Sequence, residues 1–460
     1  MDRIFLIFLL YMFGGTFALF GQSVGLTLIP PTTITNQVNL DIRAGLVNNE
    51  NTVQKIDISI YLNEKDELSL LYHSQVTLAP GQSHLVNKII STKDKVGNNK
   101  IILVTTTDKE TFETSKNIEV LDSPIRSTQT IDGTWSSLYI YSETEGKYWN
   151  PDLRKMTDSN WRELVHSMNK LDMNIVVIQE SFRNEEYVGK HNIEQEGYQG
   201  KAFYSSELYP GRMPITAKDP IENILTQADQ DSMYVFLGVG MYAWFDYTEG
   251  SLKWHKKAAK ELWEKYHHHP SFYGFYISEE GVGSLDSWET DPAKKLLRQQ
   301  EVVHFFAEFK QYCSEFAPDK PIMFAPNAWG ITEACDKYPI LLKNVDIICP
   351  FAFARMPKND LAGAEAVKLF QKWCDEAGSH LWLDLEVFNF DENYSLCPKT
   401  IENIKQDMLA YSNFEKILCF QLPGIFNDPS MSFRIGQEST LTRFMEYLQY
   451  LKQVKKQRNM

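Results

Sequence analysis

The stretch HHHPSFYGFYISEEG, residues 267–281, decides how the rest of the chain is read. Pro270 cannot extend the helical pattern before it, since proline lacks an amide donor and disfavours helical backbone in the residue it follows. The apolar, aromatic run from Phe272 to Ile277 is too short for an ordinary helix and reads as a buried strand. It leads into two carboxylates, Glu279 and Glu280. The same texture recurs outward in both directions. Apolar runs SSLYIYS (136–142), NIVVIQES (174–181), MYVFLGVGMY (233–242), PIMFAPN (321–327), VDIICPFAF (345–353), LWLDLEVF (381–388) and KILCFQLPG (416–424) alternate with helical patterns. In NWRELVHSMNKLD, residues 160–172, Trp161, Leu164, Val165, Met168 and Leu171 recur at helical spacing. Strands that each precede a helix predict a (β/α)8 TIM barrel over residues 128–455, with an open doubly wound sheet as the competing fold.

Residues 23–124 have a different texture. VNLDIRAGLV, KIDISIYLN, LSLLYHSQVTL and NKIILVTTT are short, rich in β-branched residues and separated by turn formers. Spacing of about ten residues predicts a small all-β, immunoglobulin-like sandwich domain ahead of the barrel. It carries no catalytic constellation.

Composition bounds the partners. A formal net charge of −14 repels phosphate backbones and argues against nucleic acid. Arg3, the apolar run Ile4 to Phe13 and the small residues near Ala18 and Gly21 predict a signal peptide over residues 1–22. That run is short for a membrane span. The expectation is an exported protein, periplasmic or extracellular, with no stable membrane insertion. The six cysteines contain no CxxC pair, which excludes a metal ribbon, and their even count permits disulfides without pairing them.

A parallel barrel presents its chemistry at the C-terminal ends of its strands. The fourth apolar run ends on Glu279 and Glu280, and the seventh on Glu386. Two carboxyls across a barrel mouth can divide the labour of glycosidic cleavage, one as acid and the other as nucleophile or base. The other strand ends offer a lining of aromatics and hydrogen-bonding groups: Trp135 and Tyr139, Gln179 and Glu180, Tyr242 and Trp244. Asn327 and Trp329, Phe353 and Arg355, Asn389 and Gln421 complete it. Flat rings beside amides and a guanidinium suit a carbohydrate substrate. No metal and no organic cofactor is expected.

YHHHPSFYGFYISEEG resembles the segment of clan A glycoside hydrolases in which His-Pro-Ser precedes strand four. GFYISEE and LWLDLEVF further resemble the DUF4434 family, found largely in gut Bacteroidetes and associated with glycoside hydrolysis. The resemblance spans about residues 130 to 430 and implies that Glu280 is the acid/base and Glu386 the nucleophile. One departure bears on sugar recognition and on a retaining mechanism. Clan A enzymes carry Asn just before the acid/base, where it binds the sugar 2-hydroxyl; here that position is Glu279, which as a carboxylate cannot donate.

The consecutive residues His267, His268 and His269 cannot converge on one ion from a helix face, and they precede strand four, opposite the site. A non-catalytic glycan-binding barrel is the rival reading, and a lyase using Glu280 as proton abstractor is a third.

Overall fold

The computed structural model describes residues 22–183, 200–209, 211–240 and 245–458. The expected signal segment, apart from residue 22, and the site candidates Tyr242 and Trp244 lie outside the described residues.

Eight parallel strands close into a barrel: Gly133–Ser136, Ile175–Ile178, Tyr234–Gly238, Phe272–Gly281, Ile322–Pro326, Ile347–Ile348, His380–Glu386 and Lys416–Phe420. Their order around the barrel follows the chain, and the last pairs with the first. The seventh strand shows why such sequences form strands. Trp382 packs inside the barrel while Leu381, Leu383 and Leu385 pack outward against the helices, the period of two that a pleated backbone imposes. The first strand lies about three residues earlier than SSLYIYS predicts. At Gly133 a Cβ would stand 2.3 Å from the Ile175 carbonyl oxygen, so close strand approach selects this glycine. The apolar residues Leu138 and Ile140 then fill the surrounding helical layer. The unit after the fifth strand contains only the short helical turns Ile331–Ala334 and Tyr338–Leu341.

The N-terminal region corrects the immunoglobulin-like expectation. It is a mixed-sheet domain, with a three-stranded antiparallel sheet (Gln22–Ile29, Leu40–Asn48, Ser83–Ile90) beside a five-stranded one. In the second sheet, Ile34–Thr35 runs parallel to the Thr111–Leu121 strand while its other pairs are antiparallel. The short parallel edge and the leading Gln22–Ile29 strand are invisible to a search for alternating runs. Two residues carry no periodicity, and the leading strand adjoins the apolar N-terminal stretch. Ile56, Ile58 and Ile60 from one sheet meet Leu26, Ile42 and Leu46 from the other in a shared core.

This domain seals the N-terminal end of the barrel. Ile29 joins the interior cluster of Ile175, Val177, Phe236 and Ile347. Tyr273 donates to the Leu28 carbonyl at 2.7 Å, and Thr27 donates to Asp319 at 2.7 Å. Gly25 and Gly45 leave room for the Asp319 side chain: a Cβ at Gly45 would stand 2.6 Å from its Oδ1 and 2.9 Å from its backbone nitrogen. Gly45→Ala should therefore cost about 1–3 kcal/mol, read as a lowered urea midpoint; an unchanged midpoint would show that the junction can part without penalty. With its lower end closed, the barrel is accessible at the C-terminal ends of its strands.

Candidate active site

Between those strand ends lies a cleft of about 390 Å³. Its floor comes from strands four and seven. On strand four, neighbouring side chains point to opposite sides. Tyr276 and Glu280 line the cleft, whereas Glu279 is fully buried outside the lining, its backbone carbonyl accepting from the Tyr247 hydroxyl at 2.9 Å. On strand seven, Asp384 and Glu386 share the inward face and both line the cleft.

Glu280 is half-buried, and its carboxyl is pushed up to about 7. Burial is the main cause, aided by the nearby Glu145 and Glu386 charges; Arg355 and a hydrogen bond from Asn327 oppose it. The Asn327 oxygen accepts from the Gly283 and Trp329 amides at 3.1 and 3.0 Å, which leaves its nitrogen to donate to Glu280. Glu386 is bound by Arg355, whose Nε and Nη2 stand 2.8 and 2.7 Å from one oxygen. The same guanidinium lies over the Trp329 ring, 4.9 Å from its centre. Burial, with the charges of Glu386 and Glu280, raises Asp384 well above the usual carboxylate range. So the two glutamates sit in unlike surroundings within one cleft.

Of the residues singled out from sequence, Trp135, Tyr139, Gln179, Glu180, Asn327, Trp329 and Arg355 line the cleft with the two glutamates. Four others do not. Gln421 is buried beside the first strand, its oxygen accepting from the Ser137 amide at 2.9 Å. Asn389 is exposed on the hairpin strand Phe388–Phe390 while its neighbours Phe388 and Phe390 face the cleft. Glu279 is the third, turned aside by strand alternation. Phe353 also lies outside this lining.

Sequence reasoning missed Asp384, Glu145, Arg183 and Trp288 in the lining. Asp384 was detectable, because it stands two residues before Glu386 and so shares its face. Trp288 was not. Leu285, Ser287 and Trp288 all take left-handed backbone, with φ of 56°, 53° and 61°, each at a cost of about 1–2 kcal/mol. That loop brings Trp288 edge-on to Trp329, with ring centres 6.0 Å apart.

The histidine run lies at the opposite end of the barrel. His269 is held at Nδ1 by Asp229 (2.6 Å) and at Nε2 by Glu222 (3.2 Å), which ties the start of strand four to the helix Pro220–Gln230. Among the described residues, Glu222, His268 and His269 are the group whose ligand atoms converge within 4.8 Å. All six cysteines are free thiols. No described helix is long and apolar enough to cross a membrane.

The barrel and its carboxyl-lined mouth define a (β/α)8 protein with an enzyme-like cleft. Residues 131–432 match the family model described as a domain of unknown function, DUF4434, and the chain belongs to that family. Among solved structures it resembles a Bacteroides thetaiotaomicron protein titled a "putative alpha-L-fucosidase", at TM-score 0.51 and 16% identity, covering 70% of this chain and 93% of that one. Bacteroides uniformis beta-glucuronidase aligns at TM-score 0.41 and 10% identity over 93% of this chain and 50% of its own. A GH2 beta-galacturonidase from Eisenbergiella tayi aligns at 0.40 and 9%, over 90% and 69%. At these identities the likeness is one of fold. No curated protein matches the chain.

Proposed function

We propose that this chain is an exported glycoside hydrolase in which Glu280 is the general acid/base and Glu386 the nucleophile, or the base of an inverting reaction. The observation that carries the reading is the pair itself. Two glutamates from strands four and seven enter one cleft, and the carboxyl of Glu280 is pushed up to about 7. A carboxyl still protonated near neutrality can give its proton to a leaving glycosidic oxygen. In this reading the partner, ion-paired with Arg355, attacks the anomeric carbon or activates water. Trp288 and Trp329 supply accessible aromatic rings in the lining, against which pyranose C–H bonds can pack.

The test is sugar release by the mature protein from a panel of plant, host and microbial glycans. Release by the wild type is expected, and none from the folded double variant Glu280→Gln/Glu386→Gln. Equal release by both proteins would remove the pair from the mechanism.

One observation favours a glycan-binding protein instead. Glu279 faces away from the cleft, so the position that supplies a sugar-binding amide in clan A supplies nothing to the cleft here. Glycan retained by the wild type without release would decide for that reading.

A further inference from the structure

We propose that the cleft selects neutral glycans and rejects uronates and sulfated sugars, with Asp384 and Glu145 as the groups that set this selectivity. The inference rests on the reading of the cleft as a sugar site and adds the chemical class of the sugar.

The first support is the disposition of charge. Among the described residues, the lining carries five carboxyl groups, Glu145, Glu180, Glu280, Asp384 and Glu386, against two guanidinium groups, Arg183 and Arg355. Sites built to hold a carboxylate or sulfate present an arginine fork to it, since two parallel N–H donors match a planar or tetrahedral oxyanion. Here both arginines engage protein carboxylates. Arg183 is ion-paired with Glu180, the two side chains being 2% and 1% exposed. Arg355 directs Nε and Nη2 at a single oxygen of Glu386. An anionic sugar would have to share a guanidinium already neutralised by a protein carboxylate, or give up its hydration beside further carboxyl groups.

The second support is Asp384. It is 7% exposed, faces the cleft from its floor, and its Oδ1 has no hydrogen-bond partner among the described residues. A buried polar atom without a partner is costly, and a ring hydroxyl entering the cleft would relieve that cost by donating to it. A carboxylate or sulfate in the same place offers no proton to Oδ1. Glu145, raised above its ordinary range by burial, stands on the cleft wall and meets an incoming anion with a second carboxyl. With each arginine already facing a carboxylate, the cleft presents hydrogen-bond acceptors suited to hydroxyl groups between aromatic walls.

The experiment uses the full mature chain carrying Glu280→Gln, so that binding is read without turnover. Calorimetry would compare matched pairs: p-nitrophenyl glucosides and galactosides against the corresponding uronides, and a neutral oligosaccharide against its sulfated form. A glucosaminide with a free amine completes the set. The expected result is measurable binding of a neutral member, with its anionic counterpart at least about tenfold weaker, the equivalent of about 1.4 kcal/mol. Added Asp384→Asn or Glu145→Gln should narrow that gap, and Glu145, away from the barrel floor, is the safer position should Asp384→Asn disturb folding. Anionic members binding as tightly as neutral ones, a preference for the amine, or retention of no member would each overturn the inference. A uronide preference accompanied by cleavage in the wild type would leave the hydrolase proposal standing. Neutral binding without cleavage would do the reverse.

Discussion

Glu280→Gln is expected to lower kcat/KM on a cleaved glycoside by about 10²–10⁴-fold, the usual contribution of one positioned general acid. At 1.36 kcal/mol per tenfold change, that is about 3–5 kcal/mol of barrier. The wild-type pH profile should carry the signature of this group. Its carboxyl is held at about 7 chiefly by burial, so the acid form is lost above that pH and activity should fall on the alkaline side. The variant should lack that limb. The same shift has a stability consequence of definite sign. A folded pKa above the ordinary value means that the folded state holds the proton more tightly than the unfolded chain. The associated stability is therefore fully present below about pH 4.5 and lost as pH rises through about 7. Glu280→Gln, which cannot ionise, should be at least as stable as the wild type at pH 8 while turning over far less. A variant that loses activity and stability together would point to a structural role for Glu280.

Arg43→Met is the second large effect, and it acts on stability at the far end of the barrel. Arg43 lies between two buried carboxylates, 2.9 Å from Asp41 in its own domain and 2.8 Å from Asp346 on the barrel. Lys310 also reaches Asp346 at 2.8 Å, while His380 stands 3.6 Å from Asp41 and 2.6 Å from Glu415. Removing one partner of such a cluster leaves buried charge uncompensated, at a cost of about 3–5 kcal/mol. Chemical denaturation would read this as a lowered midpoint. Asp41→Asn added to Arg43→Met should recover part of the loss, because one stranded charge goes with it. A midpoint unmoved by Arg43→Met would mean that water enters the junction and screens the pair.

The pH window of this cluster follows from its members. Despite burial, Arg43 and His380 hold Asp41 below its usual range, and Arg43 with Lys310 holds Asp346 lower still. Their contribution is present above about pH 3.8 and is lost as the medium becomes more acid. His380 moves the other way. Burial opposes its charge, but Glu415 and Asp41 override that and raise it to about 9. Its contribution is present below about 6.5 and disappears as pH rises through 9. Stability of the junction should therefore be greatest between these limits.

The barrel was legible because its information is local. A buried parallel strand must be apolar throughout and must stop where polar residues begin, so Phe272–Gly281 and His380–Glu386 announced themselves. Their carboxylate ends followed from the rule that parallel barrels work at strand C-termini. Alternation could also have been pressed further. It separates Glu280 from Glu279 and places Asp384 beside Glu386, since neighbours at spacing one diverge and at spacing two converge.

Other features required the folded chain. Trp288 reaches the cleft through left-handed backbone, which no residue pattern encodes. Asn389 and Gln421 sit at suitable chain positions but turn toward solvent or an adjacent strand. The mixed character of the N-terminal sheets depends on a two-residue parallel edge. The raised carboxyl of Glu280 depends on burial and on charges from segments more than a hundred residues away in sequence, Glu145 and Glu386 among them. Sequence by itself determined which residues could form strands and which could carry a proton. Tertiary structure decided which of them share a cleft, because distance, solvent exclusion and the facing charge are properties of segments brought together only when the barrel closes.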